Sequence, residues 1–200
     1  LALTSLTAMP YTVLMPVFAK NILHGGPQTL GFLLGASGVG AIVGAIYLAS
    51  RTSVLGLGKL IVIASSIFGI GLITFSISRI LSLSLSLLVF TGFGMMVQMA
   101  SSNMVLQTIV EEDKRGRVMS LYTMAFMGMV PFGSLLAGSL ASKIGAPGTI
   151  MISGIICILG SILFARKLPL LRDLVRPIYM RKGIIQEGSP FSIPPQNRKT

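Results

Sequence analysis

The sequence predicts an all-α membrane protein of six transmembrane helices, paired as three and three in an inverted repeat. Three observations carry that expectation. Mean hydropathy is +0.85, and the 200 residues are 52% hydrophobic and only 10% charged, which does not describe a soluble domain. Apolar stretches recur at roughly 1–19, 30–50, 60–78, 80–110, 118–141 and 149–165, each near the length of about 20 residues that a spanning helix needs. Thirteen of the 16 Lys and Arg residues then fall on one side of the alternation. These are Arg51, Lys59, Lys114, Arg115, Arg117, Arg166, Lys167, Arg172, Arg176, Arg181, Lys182, Arg198 and Lys199; only Lys20, Arg79 and Lys143 fall on the other. Cytoplasmic loops retain Lys and Arg, so the bias sets an orientation with both ends in the cytosol.

The first span (1–19) is broken by Pro10 and Pro16, each of which removes a backbone donor. The second carries Gly31, Gly35, Gly38, Gly40 and Gly44; the 31/35 and 40/44 pairs have the four-residue spacing that lets helix backbones approach closely. The third and fourth are joined by little more than Arg79 and are expected as antiparallel neighbours. The fifth carries Gly128, Gly133 and Gly138. The Gly-rich span is thus second in each triplet, and the triplets enter the membrane from opposite sides, as in the inverted repeats of secondary transporters. The sixth holds the lone Cys157, read as a small packing residue, which excludes intrachain disulfides. Loops are expected at 20–29, 51–59, 111–117 and 142–148. Residues 1–168 form the bundle and 169–200 a basic cytoplasmic tail. Within that region 166–182 is expected as an amphipathic stretch along the membrane surface, and 183–200, with Pro190, Pro194 and Pro195, as disordered.

A net charge of +11 would suggest nucleic acid in a soluble protein. Here the cations flank apolar spans with no aromatic-interleaved basic surface, so the partner is anionic lipid head groups and not nucleic acid. His24 stands alone and reads as a solvated loop residue. The first residue is Leu1 and no basic segment precedes the apolar run, so the chain is expected to be a fragment without a signal peptide. No nucleophile–base pair or metal-ligand cluster is evident, so neither enzymatic chemistry, a cofactor nor a metal is expected.

Polar residues collect in the fourth span. Gln98, Ser101 and Ser102 share one helical face, while Asn103 and Gln107 point roughly the other way. Polar groups in hydrocarbon face protein or a water-filled cavity. One reading has Gln98, Ser102 and Asn103 line a substrate path, together with Tyr11 and Tyr122. The other makes the polar groups interhelical hydrogen bonds and the tyrosines packing or interfacial residues. All five acids, Glu111, Glu112, Asp113, Asp173 and Glu187, lie outside the spans. A proton-driven protein would therefore need its titrating group elsewhere; otherwise it is not proton-coupled.

The loop Glu111-Glu112-Asp113-Lys114-Arg115-Gly116-Arg117 is the densest charge cluster. It reads either as an ordinary basic anchor or as a cytoplasmic gate. In the gate, Arg115 or Arg117 pairs with an acid or a helix C-terminus in one state, and Gly116 permits a tight turn.

At this loop, Asp113-Lys114-Arg115-Gly116-Arg117-Val118-Met119-Ser120-Leu121-Tyr122 resembles the corresponding segment of the major facilitator superfamily. The likeness is to its enterobactin-exporter-like and macrolide-efflux-like branch. Gly128-x-x-Pro131-x-Gly133-x-x-x-x-Gly138 resembles that branch's eleventh helix, and Leu171 to Tyr179 its tail; together the likeness spans roughly 1–180. The resemblance implies helices seven to twelve of a twelve-helix fold, completed by a missing N-terminal six-helix half. It implies secondary active export of a small amphipathic molecule, such as a siderophore or drug, across the plasma (inner) membrane, with Gly128, Pro131 and Gly133 shaping the interface between halves. The family's signature loop would fall at Leu48-Ala49-Ser50-Arg51, with Ser50 where the motif has its acid. A non-transporting membrane scaffold is the rival reading.

Overall fold

Five α-helices and one 3-10 turn make up the described residues, 11–51 and 54–181, of the computed structural model; no strand occurs among them. They are α1 (Tyr11–Asn21), α2 (Pro27–Ala49), α3 (Leu57–Ile77), α4 (Leu81–Ile109), the 3-10 turn Glu112–Lys114, and α5 (Arg115–Arg181). The expected first half of the opening span, with Pro10, and the expected disorder of 183–200 lie outside the described residues.

Local chemistry explains where the helices begin and end. α1 keeps Pro16 inside and carries Lys20 in its last turn, beside the negative end of the helix dipole. His24 then takes a left-handed backbone with φ 50°, and the Gly25 N–H returns to the Ala19 carbonyl at 2.9 Å, closing the helix end. Pro27 opens α2, where its missing N–H costs nothing. Left-handed Gly56 precedes α3. α5 is interrupted at one residue, Gly145, with φ 79° and ψ 164°. The positive φ of Gly145 ends the first stretch, and Pro147, two residues on, sits where a new helix starts.

Four helical stretches are long and apolar enough to cross a membrane: Pro27–Ala49, Leu57–Ile77, Leu81–Ile109 and Glu112–Leu171. Their register follows from the close contacts. A Cβ at Gly40 would overlap the Val89 carbonyl oxygen, and one at Gly44 would meet the Phe93 carbonyl oxygen at 3.0 Å, so α2 and α4 run parallel. A Cβ at Gly71 would overlap the Thr91 hydroxyl, and one at Gly94 would meet the Ala64 carbonyl oxygen at 2.8 Å, so α3 and α4 are antiparallel. Gly69 and Gly154 face each other, each Cβ position 2.7–2.9 Å from the other's carbonyl oxygen. Ser161 Oγ donates to the Val62 carbonyl at 2.9 Å, and Leu168 covers Gly58. The part of α5 after Gly145 therefore runs antiparallel to α3.

These contacts sort the connections by end. Arg51, Lys59, Arg115 and Leu168 gather at one end, the basic end. Ile22, Arg79, Pro147 and Gly148 line one cavity of about 270 Å³ at the opposite end. The two arms of α5 must then run in opposite directions. Where tight helix contact is absent, the core is aromatic and aliphatic. Phe18 stacks on Phe75 with centroids 4.3 Å apart, Tyr11 meets Phe68 edge-on at 6.0 Å, and Met15, Leu33, Leu72, Leu88 and Ile150 are fully buried.

Three local expectations need correction. The predicted loop 142–148 is helical except at Gly145, because one glycine with positive φ suffices to turn the chain. Gly116 makes no turn: it lies in the first helical turn of α5 without positive φ, and the 3-10 residues Glu112–Lys114 make the bend instead. The basic segment after 166 is not a separate stretch; α5 continues through it to Arg181.

Glycine contact yields a direct test. Gly92, whose Cβ would overlap the Ser37 carbonyl oxygen, should not tolerate alanine, with a loss of about 1–3 kcal/mol from overpacking. Gly31, which has open space on that side, should tolerate it. Thermal unfolding in detergent is expected to show a lower midpoint for Gly92→Ala and none for Gly31→Ala.

Candidate functional site

α4 is wedged between α2 and α3, and that position divides its polar residues into two sets. Gln98 is 7% exposed, Ser102 9% and Ser101 fully buried. They follow Gly94, which seats α4 against Ala64 and Phe68 of α3, so this face looks into protein. The Ser101 hydroxyl has no hydrogen-bond partner among the described residues. Asn103 and Gln107, one helical turn apart, are half-buried on the other side.

At the basic end the second set connects to the charged loop. Arg115 NH2 donates to Gln107 Oε1 at 2.6 Å, and Gln107 Nε2 donates to Asn103 Oδ1 at 2.6 Å. Arg115, expected as a gate residue, is thus held by a neutral carboxamide rather than by an acid or a bare helix end. The nearby Lys114–Glu111 pair, 2.7 Å apart, has both side chains about 60% exposed and so contributes little to stability. Asp113, Gly116 and Arg117 are exposed. In the loop after α2, Ser50 Oγ donates to the Tyr47 carbonyl at 2.8 Å, and Arg51 reaches the Leu55 carbonyl at 3.4 Å.

Tyr11 stands apart from this group. Only 3% exposed, it shares a hydrogen bond with Ser37 Oγ at 3.0 Å and packs edge-on to Phe68, so it sits in the bundle interior between α2 and α3. Tyr122 stacks on Phe126 at 6.4 Å, and its hydroxyl has no partner among the described residues.

The glycines also divide. Gly40 and Gly44 meet α4 backbone, whereas a Cβ at Gly128 or Gly138 would meet nothing within 4 Å. At 100° per residue Gly128, Pro131 and Gly138 form one exposed stripe with Met124 and Leu135, while Gly133 is buried on a different face near Ala137. Sequence reasoning noted Gln107 only as a polar neighbour and did not identify Ser37 as the partner of Tyr11. Both assignments depend on which helices meet, which no spacing within one helix reveals.

The profile of a family described as transmembrane secretion effector matches residues 2–175, nearly the whole chain. The chain belongs to the major facilitator superfamily. A staphyloferrin A transporter of Staphylococcus aureus (strain NCTC 8325 / PS 47) is 30% identical over 156 residues, which cover 76% of this chain and 38% of that relative. The chain therefore spans less than half the length of the curated relative it matches. No solved structure matches. Membership in the superfamily makes this a multi-pass membrane protein of a transporter family and not an enzyme.

The Tyr11–Ser37 contact ties α1 to α2. Tyr11→Phe and Ser37→Ala should each cost about 0.6 kcal/mol, and at most about 1.7 kcal/mol, as interhelical hydrogen bonds in membranes do. Unfolding of the double variant should cost no more than either single change, because both remove the same bond.

Proposed function

We propose that the protein is a secondary active exporter of small amphipathic molecules working by alternating access, and that this chain supplies helices seven to twelve as a 3+3 inverted repeat. The observation that carries the reading is the match to the transmembrane secretion effector family over residues 2–175. A siderophore is the favoured cargo, because the relative is named for staphyloferrin A. The alternation of helix ends and the opposed arms of α5 support six crossings, with residues 1–168 as the bundle and 169–200 as the tail. The basic end faces the cytosol of a plasma-membrane protein, where Lys and Arg are retained and meet anionic head groups.

Half-buried Asn103 is the substrate-side residue of α4 in this conformation. Gln98 and Ser102, buried here, join it when the helices around α4 shift. Tyr11 contributes by fixing α1 rather than by touching cargo. Arg115 and Arg117, flanked by Asp113 and Gly116, form the cytoplasmic gate. Gly40 and Gly44 hold α2 on α4, and buried Gly133 lies on the bundle side of the first arm of α5. The exposed stripe of Gly128, Pro131 and Gly138 faces the preceding six-helix half of the full-length protein.

Cells expressing the full-length protein should release more iron-chelating material, or accumulate less ethidium, than cells without it. Equal release and equal accumulation would remove the export reading. Replacing Arg115 and Arg117 together with Leu should reduce efflux at least fivefold with normal membrane insertion. A cysteine placed at Glu112 should react with a membrane-impermeant maleimide only after permeabilisation; labelling in intact cells would reverse the orientation.

A further inference from the structure

Two 2.6 Å hydrogen bonds meet on the Gln107 carboxamide. A guanidinium only donates, so the Gln107 oxygen must face Arg115. That leaves the NH2 group to face Asn103, and Asn103 must in turn offer its oxygen. The amide is thereby locked in one orientation, and each bond polarises the next. We propose that Gln107 is a positioning residue for Arg115: its carboxamide, fixed between Asn103 and Arg115, holds the guanidinium at a set place relative to the polar face of α4. The proposal rests on the reading of Arg115 as a gate residue.

The choice of partner matters. Glu111, Glu112 and Asp113 lie within four residues of Arg115 and are exposed, yet the ion pair in the loop goes to Lys114. A carboxylate holding Arg115 would neutralise it. A carboxamide holds it while leaving its full positive charge and its other N–H donors available to a carboxylate or phosphate arriving at the basic end. The same bond makes the arginine follow α4. Asn103 and Gln107 lie on one helical face, so a shift of α4 at Asn103 carries the guanidinium with it.

The first test needs no substrate. Purified full-length protein is treated with phenylglyoxal, and modification at Arg115 is followed by mass spectrometry. Gln107→Leu is expected to speed modification of Arg115 at least threefold. Gln107→Glu, which keeps an acceptor facing the guanidinium, is expected to leave it as slow as in the parent. Equal rates in parent and Gln107→Leu would overturn the proposal, as would a Gln107→Glu rate equal to that of Gln107→Leu.

The second test links position to transport, with ethidium efflux as probe. Gln107→Leu should lower maximal rate at least fivefold with KM within twofold and an unchanged unfolding midpoint, and should add less than twofold to the defect of Arg115→Leu. Multiplying defects in the double variant, or a Gln107→Leu protein as fast as its parent where Arg115→Leu is slow, would overturn the positioning role. Protection of Arg115 by Gln107 alongside normal efflux by Arg115→Leu would instead overturn the gate reading and leave the contact standing.

Discussion

In lipid, helices gain nothing by hiding apolar surface from the solvent, since the tails are as apolar as leucine; they associate by close packing and by hydrogen bonds. This bundle depends on contact between backbones at glycine. α4 is seated on α2 through Gly40, Gly44 and Gly92, and on α3 through Gly71 and Gly94. The second arm of α5 is seated on α3 through Gly69 and Gly154. These contacts fix the rotation of α4 about its own axis. Gln98, Ser101 and Ser102 consequently turn inward, while Asn103 and Gln107 come within reach of the charged loop.

The second constraint is that hydrocarbon leaves no water for a stray hydroxyl. Many serines and threonines of the spans meet it locally by donating to a carbonyl three or four residues back, as Thr74, Thr91, Thr123 and Ser134 do. A few hydroxyls instead join helices. Ser161 crosses to Val62 and lies 3.0 Å from Ser66, and Ser37 meets Tyr11 at 3.0 Å. With the acids confined to a loop and a tail, the polar structure of the spans rests on hydroxyls and carboxamides. Arg115 extends that pattern by taking a carboxamide partner.

Hydropathy and charge placement revealed the all-helical character, the ends of the second, third and fourth spans to within three residues, and the short third-to-fourth connection; they missed the end of the sixth span, expected at 165, because α5 continues to Arg181. They could not reveal which face of a helix meets a neighbour. Gly31/Gly35 and Gly40/Gly44 have the same spacing in the same helix, but only the second pair touches anything, because α4 lies on that side. Gly116 was expected to turn the chain and 142–148 to form a loop. Gly116 follows a 3-10 turn that has already reversed the chain, whereas Gly145 takes the positive φ that ends the first arm, two residues before the helix-starting Pro147. The polar set of the fourth span was legible, and so was its division into two faces. The bond from Gln107 to Arg115 was not, since it joins residues eight apart across a bend whose geometry the sequence leaves open.

The reversal at Gly145 uses a single non-helical residue, so no slack separates the two arms of α5. The second arm is clamped to α3 by paired glycines and by the Ser161 hydroxyl, while the first arm exposes most of its length. The angle between the two arms is therefore set by the backbone of one glycine, and their spacing by the few core residues of the first arm, such as Ala137.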